Sequence, residues 1–190
     1  MTTIAAVQGP SWAVIGADSQ VSEDTKKYRL PASQSKLVSN RGYLFGIAGE
    51  LRAVNLLACG FDPPQPGKTV DSIESLDVFM IRTFIPKLRA CFASNEYGKD
   101  GEHGATIIAS IHGVLYEIGS SYECMRDSGG LYAIGTGDGY ALGAMHAIKD
   151  MRSRTMAAAR DMVKAGIHAA AQYDSCTSEP ITIWTQSNKE

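Results

Sequence analysis

The sequence predicts an α+β fold in which two antiparallel sheets are stacked between two helical layers, a four-layer αββα sandwich. Three observations lead there. Strand-like runs arrive as pairs joined by tight turns, and such pairs are antiparallel. Two stretches of helical periodicity separate the early hairpins from a later one, and two more separate that hairpin from a closing strand. Two pairs of helices suffice to cover the outer faces of two sheets.

Thr3 to Val7 and Trp12 to Ala17 are short apolar runs split by Gly9-Pro10, which predicts the first hairpin. A polar stretch from Ser22 to Ser35 follows. Lys36-Leu37-Val38 and Tyr43 to Ala48 form a second strand pair, turned at Asn40-Arg41-Gly42. From Glu50 to Cys59 the period changes, with Leu51, Val54, Leu57 and Ala58 at helical spacing and Gly60 as a stop. Phe61 to Gly67 holds three prolines and is a loop. Ser75 to about Ala93 is helical, kinked or broken at Pro86. Thr106 to Ile111 and Val114 to Ile118 flank His112-Gly113 as a third hairpin, and Leu131 to Ile134 is a further strand. Helices follow over Asp138 to about Lys149 and Ser153 to about Gln172, with Asp138 and Ser153 as N-caps. Ile181 to Trp184 closes the chain as a strand, and residues 1–190 read as one domain.

Composition narrows the function classes. Eighteen Lys plus Arg against 20 Asp plus Glu give a net charge of -2, so no global positive field exists to hold nucleic acid or an anionic membrane. No apolar run approaches the roughly 20 residues of a membrane span. The N-terminus carries no basic region before its apolar residues, so a cytoplasmic location is expected. Cys59, Cys91, Cys124 and Cys176 are widely spaced, which suits buried thiols in a reducing compartment rather than a zinc site. The four histidines form no metal-binding spacing and read as surface or core residues. Gly67-Lys68-Thr69 lacks the first glycine of a phosphate loop, and Tyr140 spoils a dinucleotide spacing after Gly135. No cofactor or metal is expected.

The N-terminus carries the chemistry. Removal of Met1 by a methionine aminopeptidase leaves Thr2 with a free α-amine. Such an amine, with a pKa of about 7.7–8.0, is partly neutral near pH 7 and can take the proton of its own residue's hydroxyl. Asp18 ends a strand that pairs with the first one, and Lys36 begins the next pair. A lysine beside the threonine favours its alkoxide, and a carboxylate beside the lysine holds that ammonium charged. The spacing is equally compatible with an exposed Asp18–Lys36 ion pair of little energetic weight.

Thr2-Thr3-Ile4, Ile15-Gly16-Ala17-Asp18-Ser19, Ser35-Lys36-Leu37, Gly46-Ile47-Ala48-Gly49 and Ala133-Ile134-Gly135-Thr136-Gly137 stand in the order and spacing of proteasome β-type N-terminal-nucleophile proteases. The chain resembles that superfamily over nearly its whole length, and within it the bacterial HslV-type peptidase. Tyr173-Asp174-Ser175-Cys176-Thr177 is more similar to proteasome β subunits. The resemblance implies Thr2 as nucleophile, Asp18 and Lys36 as its activating pair, Asp174 as support for the amine and the Gly49 N–H as oxyanion donor. Thr136 and Thr177 occupy supporting hydroxyl positions, Thr136 where serine is usual. Ile47 and Leu51 would line an apolar specificity pocket, and Val21 and Ser22 would lie beside an extended substrate. It further implies a homo-oligomeric ring, stacked on a second, that takes unfolded protein or peptides, with a separate ATPase unfoldase. A catalytically silent ring subunit and a small-molecule amidase of the same superfamily are the competing expectations.

Overall fold

The run Thr-Ile-Ala-Ala-Val-Gln forms strand β1 (Thr3–Gln8), buried on both faces along most of its length. Such two-sided burial requires a layer above and a layer below the sheet. The computed structural model describes residues 2–31, 33–99, 101–149 and 155–187. The remaining strands are β2 (Trp12–Ala17), β3 (Gln20–Glu23), β4 (Lys26–Arg29), β5 (Leu37–Asn40), β6 (Tyr43–Gly49), β7 (Ala105–Ile111), β8 (Val114–Ile118), β9 (Cys124–Met125), β10 (Leu131–Gly135) and β11 (Thr182–Ser187). The helices are α1 (Leu51–Asn55), α2 (Ile73–Phe79), α3 (Ile85–Ser94), α4 (Asp138–Ile148) and α5 (Met156–Tyr173).

One sheet has the order β10-β1-β2-β11 and the other β5-β6-β7-β8-β9, with every pairing antiparallel. Alternation along each strand sorts the side chains into three apolar layers. Ile4, Ala6 and Ile15 meet Leu37, Leu44, Ala48 and Ile108 between the sheets. Ala5, Val7 and Val14 face Met145, Val163 and Ile167 of α4 and α5. Phe45, Ile47 and Ile107 face Leu57, Met80, Phe84 and Leu88 of the other helical layer. The result is the predicted αββα sandwich. Gly46 lets the sheets close, since a Cβ there would sit 2.6 Å from Ile4.

Several details differ from the sequence reading. The stretch after Ser22 contains the β3–β4 hairpin, turned at Asp24 with φ 50°. β4 is exposed along its whole length and β3 is polar at Gln20, Ser22 and Glu23, so the pair lacks the apolar alternation that announces a strand. The helix expected to Cys59 is α-helical only to Asn55 and ends in a π turn, Leu56–Gly60. A second π turn, Met80–Phe84, joins α2 to α3 immediately before Pro86. Proline supplies no N–H and crowds the carbonyl four residues earlier, and a wider turn relieves both. The helix caps are Gly137 for α4 and Thr155 for α5, not Asp138 and Ser153. Thr155 Oγ1 accepts the Ala158 N–H at 3.2 Å, whereas Ser153 lies outside the described residues. β11 runs on to Ser187 because its polar residues still pair with β2, and the two-residue β9 carried no readable signal. The thiols are not buried as expected: Cys59 is exposed, Cys91, Cys124 and Cys176 are half-buried, and none of the four is in a disulfide. His103, by contrast, is a core residue packed edge-on to Phe92 and Tyr122. Burial lowers its pKa. No helix among the described residues is long and apolar enough to cross a membrane.

Candidate active site

Thr2 stands immediately before β1, buried, with its carbonyl oxygen accepting the Thr136 N–H at 2.9 Å. This bond ties the start of β1 to the turn after β10. Gly135 makes the approach possible: its φ is +99°, and a Cβ there would lie 2.0 Å from the Thr2 carbonyl oxygen.

Asp18 follows the end of β2, and Lys36 precedes β5. The Lys36 ammonium donates to Asp18 Oδ1 at 2.6 Å, and both side chains are at most 2 % exposed. This is a buried pair, not the exposed one that spacing alone permitted. Asp18 is also held by backbone: the Thr3 N–H donates to Oδ1 at 3.0 Å, and the Gln20 and Ser178 N–H groups donate to Oδ2 at 2.9 and 3.2 Å. Four donors around one carboxylate satisfy its charge without water. Burial lowers the pKa of Lys36, and the attraction and hydrogen bond of Asp18 oppose that shift.

A second carboxylate lies at the C-cap of α5. Asp174 Oδ2 accepts the Thr136 hydroxyl at 2.7 Å and the Thr177 hydroxyl at 2.5 Å, while Oδ1 accepts the Cys176 N–H at 3.2 Å. Burial pushes the Asp174 pKa up, but these hydrogen bonds outweigh it and hold the carboxyl below its ordinary value.

A groove of about 590 Å³ opens over these elements, lined by Thr2, Val21, Ser22, Lys36, Ile47, Gly49 and Leu51, with Gly104. Seven of the residues singled out in the sequence therefore meet at one opening. Thr136, Asp174 and Thr177 do not line it; they form the network behind Thr2. The Ile47 N–H bonds the Lys36 carbonyl at 3.0 Å, and strand alternation carries the Gly49 N–H to the same side of β6, past the start of β5. Gly49 has φ +117°, and a Cβ there would sit 2.2 Å from the Gly104 carbonyl oxygen. β3 pairs with β4 on one side only among the described residues, which leaves the Val21–Ser22 edge beside the groove.

Sequence reasoning missed the groove's charged lining, Glu23, Glu50 and Arg52, and the anchoring role of Gln20 and Ser178. It also gave no role to Thr3, which is fully buried and hydrogen-bonded to Thr177. A hydroxyl at the head of an otherwise apolar buried strand was the available signal. Met1 lies outside the described residues. Among those residues, no three His, Cys, Asp or Glu side chains are grouped to hold a metal ion.

This topology is the αββα sandwich of the N-terminal-nucleophile hydrolase fold, and solved structures show the same fold over 98% or more of the chain. BPH of Thiobacillus denitrificans in complex with epoxomicin matches with a TM-score of 0.79 and 21% identity, covering 100% of both chains. BPH without that ligand gives the same score and identity over 99% of both chains. Eukaryotic HslV from Trypanosoma brucei matches with a TM-score of 0.69 and 20% identity, covering 98% of this chain and 99% of that one. At these identities the likeness is one of fold. No protein-family model matches the chain, and no curated protein matches it in sequence.

Proposed function

We propose that the chain is a threonine-type endopeptidase in which Thr2, freed of Met1, is the nucleophile. The observation that carries this reading is the buried Lys36–Asp18 pair, whose lysine lines the same groove as Thr2 and Gly49. A lysine is kept charged in a low-dielectric site only by such a partner, and a positive charge there favours an alkoxide on a neighbouring threonine.

In this mechanism the Thr2 α-amine takes the hydroxyl proton as Oγ1 attacks the substrate carbonyl carbon. The Gly49 N–H receives the developing oxyanion, a contribution of about 2.7–4 kcal/mol for one well-aimed donor. The resulting α-ammonium protonates the leaving amine, and an ester to Thr2 remains. Water then gives its proton to the same amine and cleaves the ester, releasing the acid and regenerating Thr2. Asp174, through Thr136 and Thr177, supports the amine. Ile47 and Leu51 favour an apolar side chain before the cut bond. The open edge of β3 at Val21 and Ser22 accepts the extended substrate backbone as an added strand. No step calls for a cofactor.

The fold likeness to HslV and BPH supports a homo-oligomeric ring, probed by light scattering at micromolar concentration; a monomeric mass contradicts it. A cytoplasmic setting, unfolded protein or peptide substrates and a separate ATPase unfoldase complete the proposal. The catalytic part is tested with Thr2→Ala and an apolar fluorogenic peptide. Hydrolysis is abolished on this account, and hydrolysis that persists unchanged removes Thr2 from the mechanism.

A further inference from the structure

Thr3 touches both carboxylate networks. Its N–H donates to Asp18 Oδ1 at 3.0 Å, and its Oγ1 lies 2.5 Å from Thr177 Oγ1. Proton counting fixes the direction of the second contact. A hydroxyl carries one proton, and an ionised carboxylate only accepts. Thr177 spends its proton on Asp174 Oδ2, as does Thr136. The Thr3 hydroxyl must therefore donate to Thr177, giving a directed chain from Thr3 through Thr177 to Asp174.

The neighbouring backbone is shaped around this chain. Gly137 has an ordinary φ, so its backbone conformation does not demand glycine. A Cβ there, however, would meet Thr3 Oγ1 at 2.2 Å and Asp174 Oδ2 at 3.1 Å. Thr3 itself is fully buried, with Oγ1 on a stiff β-branched side chain that has no room to swing away.

We propose that Thr3 is a positioning residue for the Thr2 site, its hydroxyl proton ordering the Thr177–Asp174–Thr136 network while its N–H anchors Asp18. The proposal rests on the reading of Thr2 as the nucleophile and goes beyond it by assigning a function to the next residue. Donation from Thr3 polarises the Thr177 hydroxyl and makes it a better donor to the carboxylate, and hydrogen bonds to the charged form favour that form. Loss of the Thr3 proton therefore shifts Asp174 towards protonation. Among the described residues, the titratable neighbours of this carboxylate are Lys36, which it attracts, and Cys176, whose N–H it accepts.

The experiment follows the Asp174 carboxyl by carbon NMR in the wild type, Thr3→Val and Thr3→Ser, with kcat/KM against pH on the same proteins. In Thr3→Val, which keeps shape and N–H but loses the hydroxyl, the carboxyl titrates at higher pH. The plateau of kcat/KM falls about five- to tenfold, one hydrogen bond's worth. Thr3→Ser restores wild-type behaviour. Coincident carboxyl titrations in the wild type and Thr3→Val overturn the proposal, as does a Thr3→Ser protein that behaves like the valine variant. Should Thr3→Val not fold, Thr3→Ala removes the same hydroxyl and raises the same titration, and an unmoved titration there is equally fatal. The NMR arm needs no turnover, so a failure of Thr2 as nucleophile, read from Thr2→Ala, leaves a different mark.

Discussion

The ammonium of Lys36 lies 2.6 Å from the Asp18 carboxylate, and that carboxylate also accepts the N–H of Thr3, the residue after the proposed nucleophile. One side chain thus connects the Lys36 ammonium to the first strand. Removing Asp18 leaves a buried ammonium and three backbone N–H groups without their acceptor. Asp18→Ala is expected to destabilise the fold by about 3–5 kcal/mol, measured by urea unfolding. A loss under about 1 kcal/mol, typical of exposed pairs, contradicts the burial.

Burial moves the Lys36 pKa below the ordinary lysine value of 10.5, with Asp18 opposing. If the ammonium favours the Thr2 alkoxide, kcat/KM falls on the alkaline side at a pH below that of free lysine. Asp18→Asn removes the opposing negative charge and shifts this limb further down. A limb that stays in place in Asp18→Asn separates Lys36 from the pH dependence of the reaction.

Asp174 works in the opposite sense. Its folded pKa is depressed, so its contribution to stability is present above the ordinary carboxylate pKa and is lost as pH falls through the folded value. Thr136→Val together with Thr177→Val removes both hydroxyl donors and shrinks that contribution. Urea midpoints at about pH 6 and about pH 3 then differ less in the double variant than in the wild type. Equal differences in the two proteins argue that the hydroxyls do not stabilise the charged carboxylate.

Gly49 combines φ +117° with a Gly104 carbonyl oxygen 2.2 Å from where a Cβ would be. Gly49→Ala is expected to cost about 1–3 kcal/mol in backbone strain alone and to displace the adjacent N–H. Thermal unfolding and peptidase assays should both register it, and wild-type kcat in a folded alanine variant rules out this N–H as the oxyanion donor.

Ile47 is 2 % exposed and lines the groove. Ile47→Ala is expected to lower the kcat/KM ratio between peptides with leucine and with alanine before the cut bond by about tenfold, the scale of a few lost methylene contacts. An unchanged ratio moves the specificity pocket elsewhere.

Periodicity and turn chemistry made most of this architecture legible, because burial on both faces writes long apolar runs into β1, β2, β6 and β7. β3 and β4 escaped because β4 is exposed and β3 mostly polar, so neither needs such runs, yet this hairpin forms one wall of the groove. The placement of Thr2, Asp18, Lys36 and Gly49 was readable through resemblance in motif spacing. Composition alone carried none of it. Thr3, Gln20 and Ser178 stayed hidden because their part depends on where backbone N–H groups point, and local sequence does not record that. The caps at Gly137 and Thr155 were displaced by one or two residues, since several adjacent residues were chemically able to cap.

The central claim is most directly tested by intact-mass and fragment mass spectrometry of the purified protein before and after exposure to epoxomicin, the ligand held by BPH in a structurally similar chain. The account predicts a chain lacking Met1 that gains one equivalent of inhibitor, with the added mass localised to Thr2 and absent in Thr2→Ala. A chain that retains Met1 and gains no mass, or an adduct mapped to Cys176 instead, contradicts it.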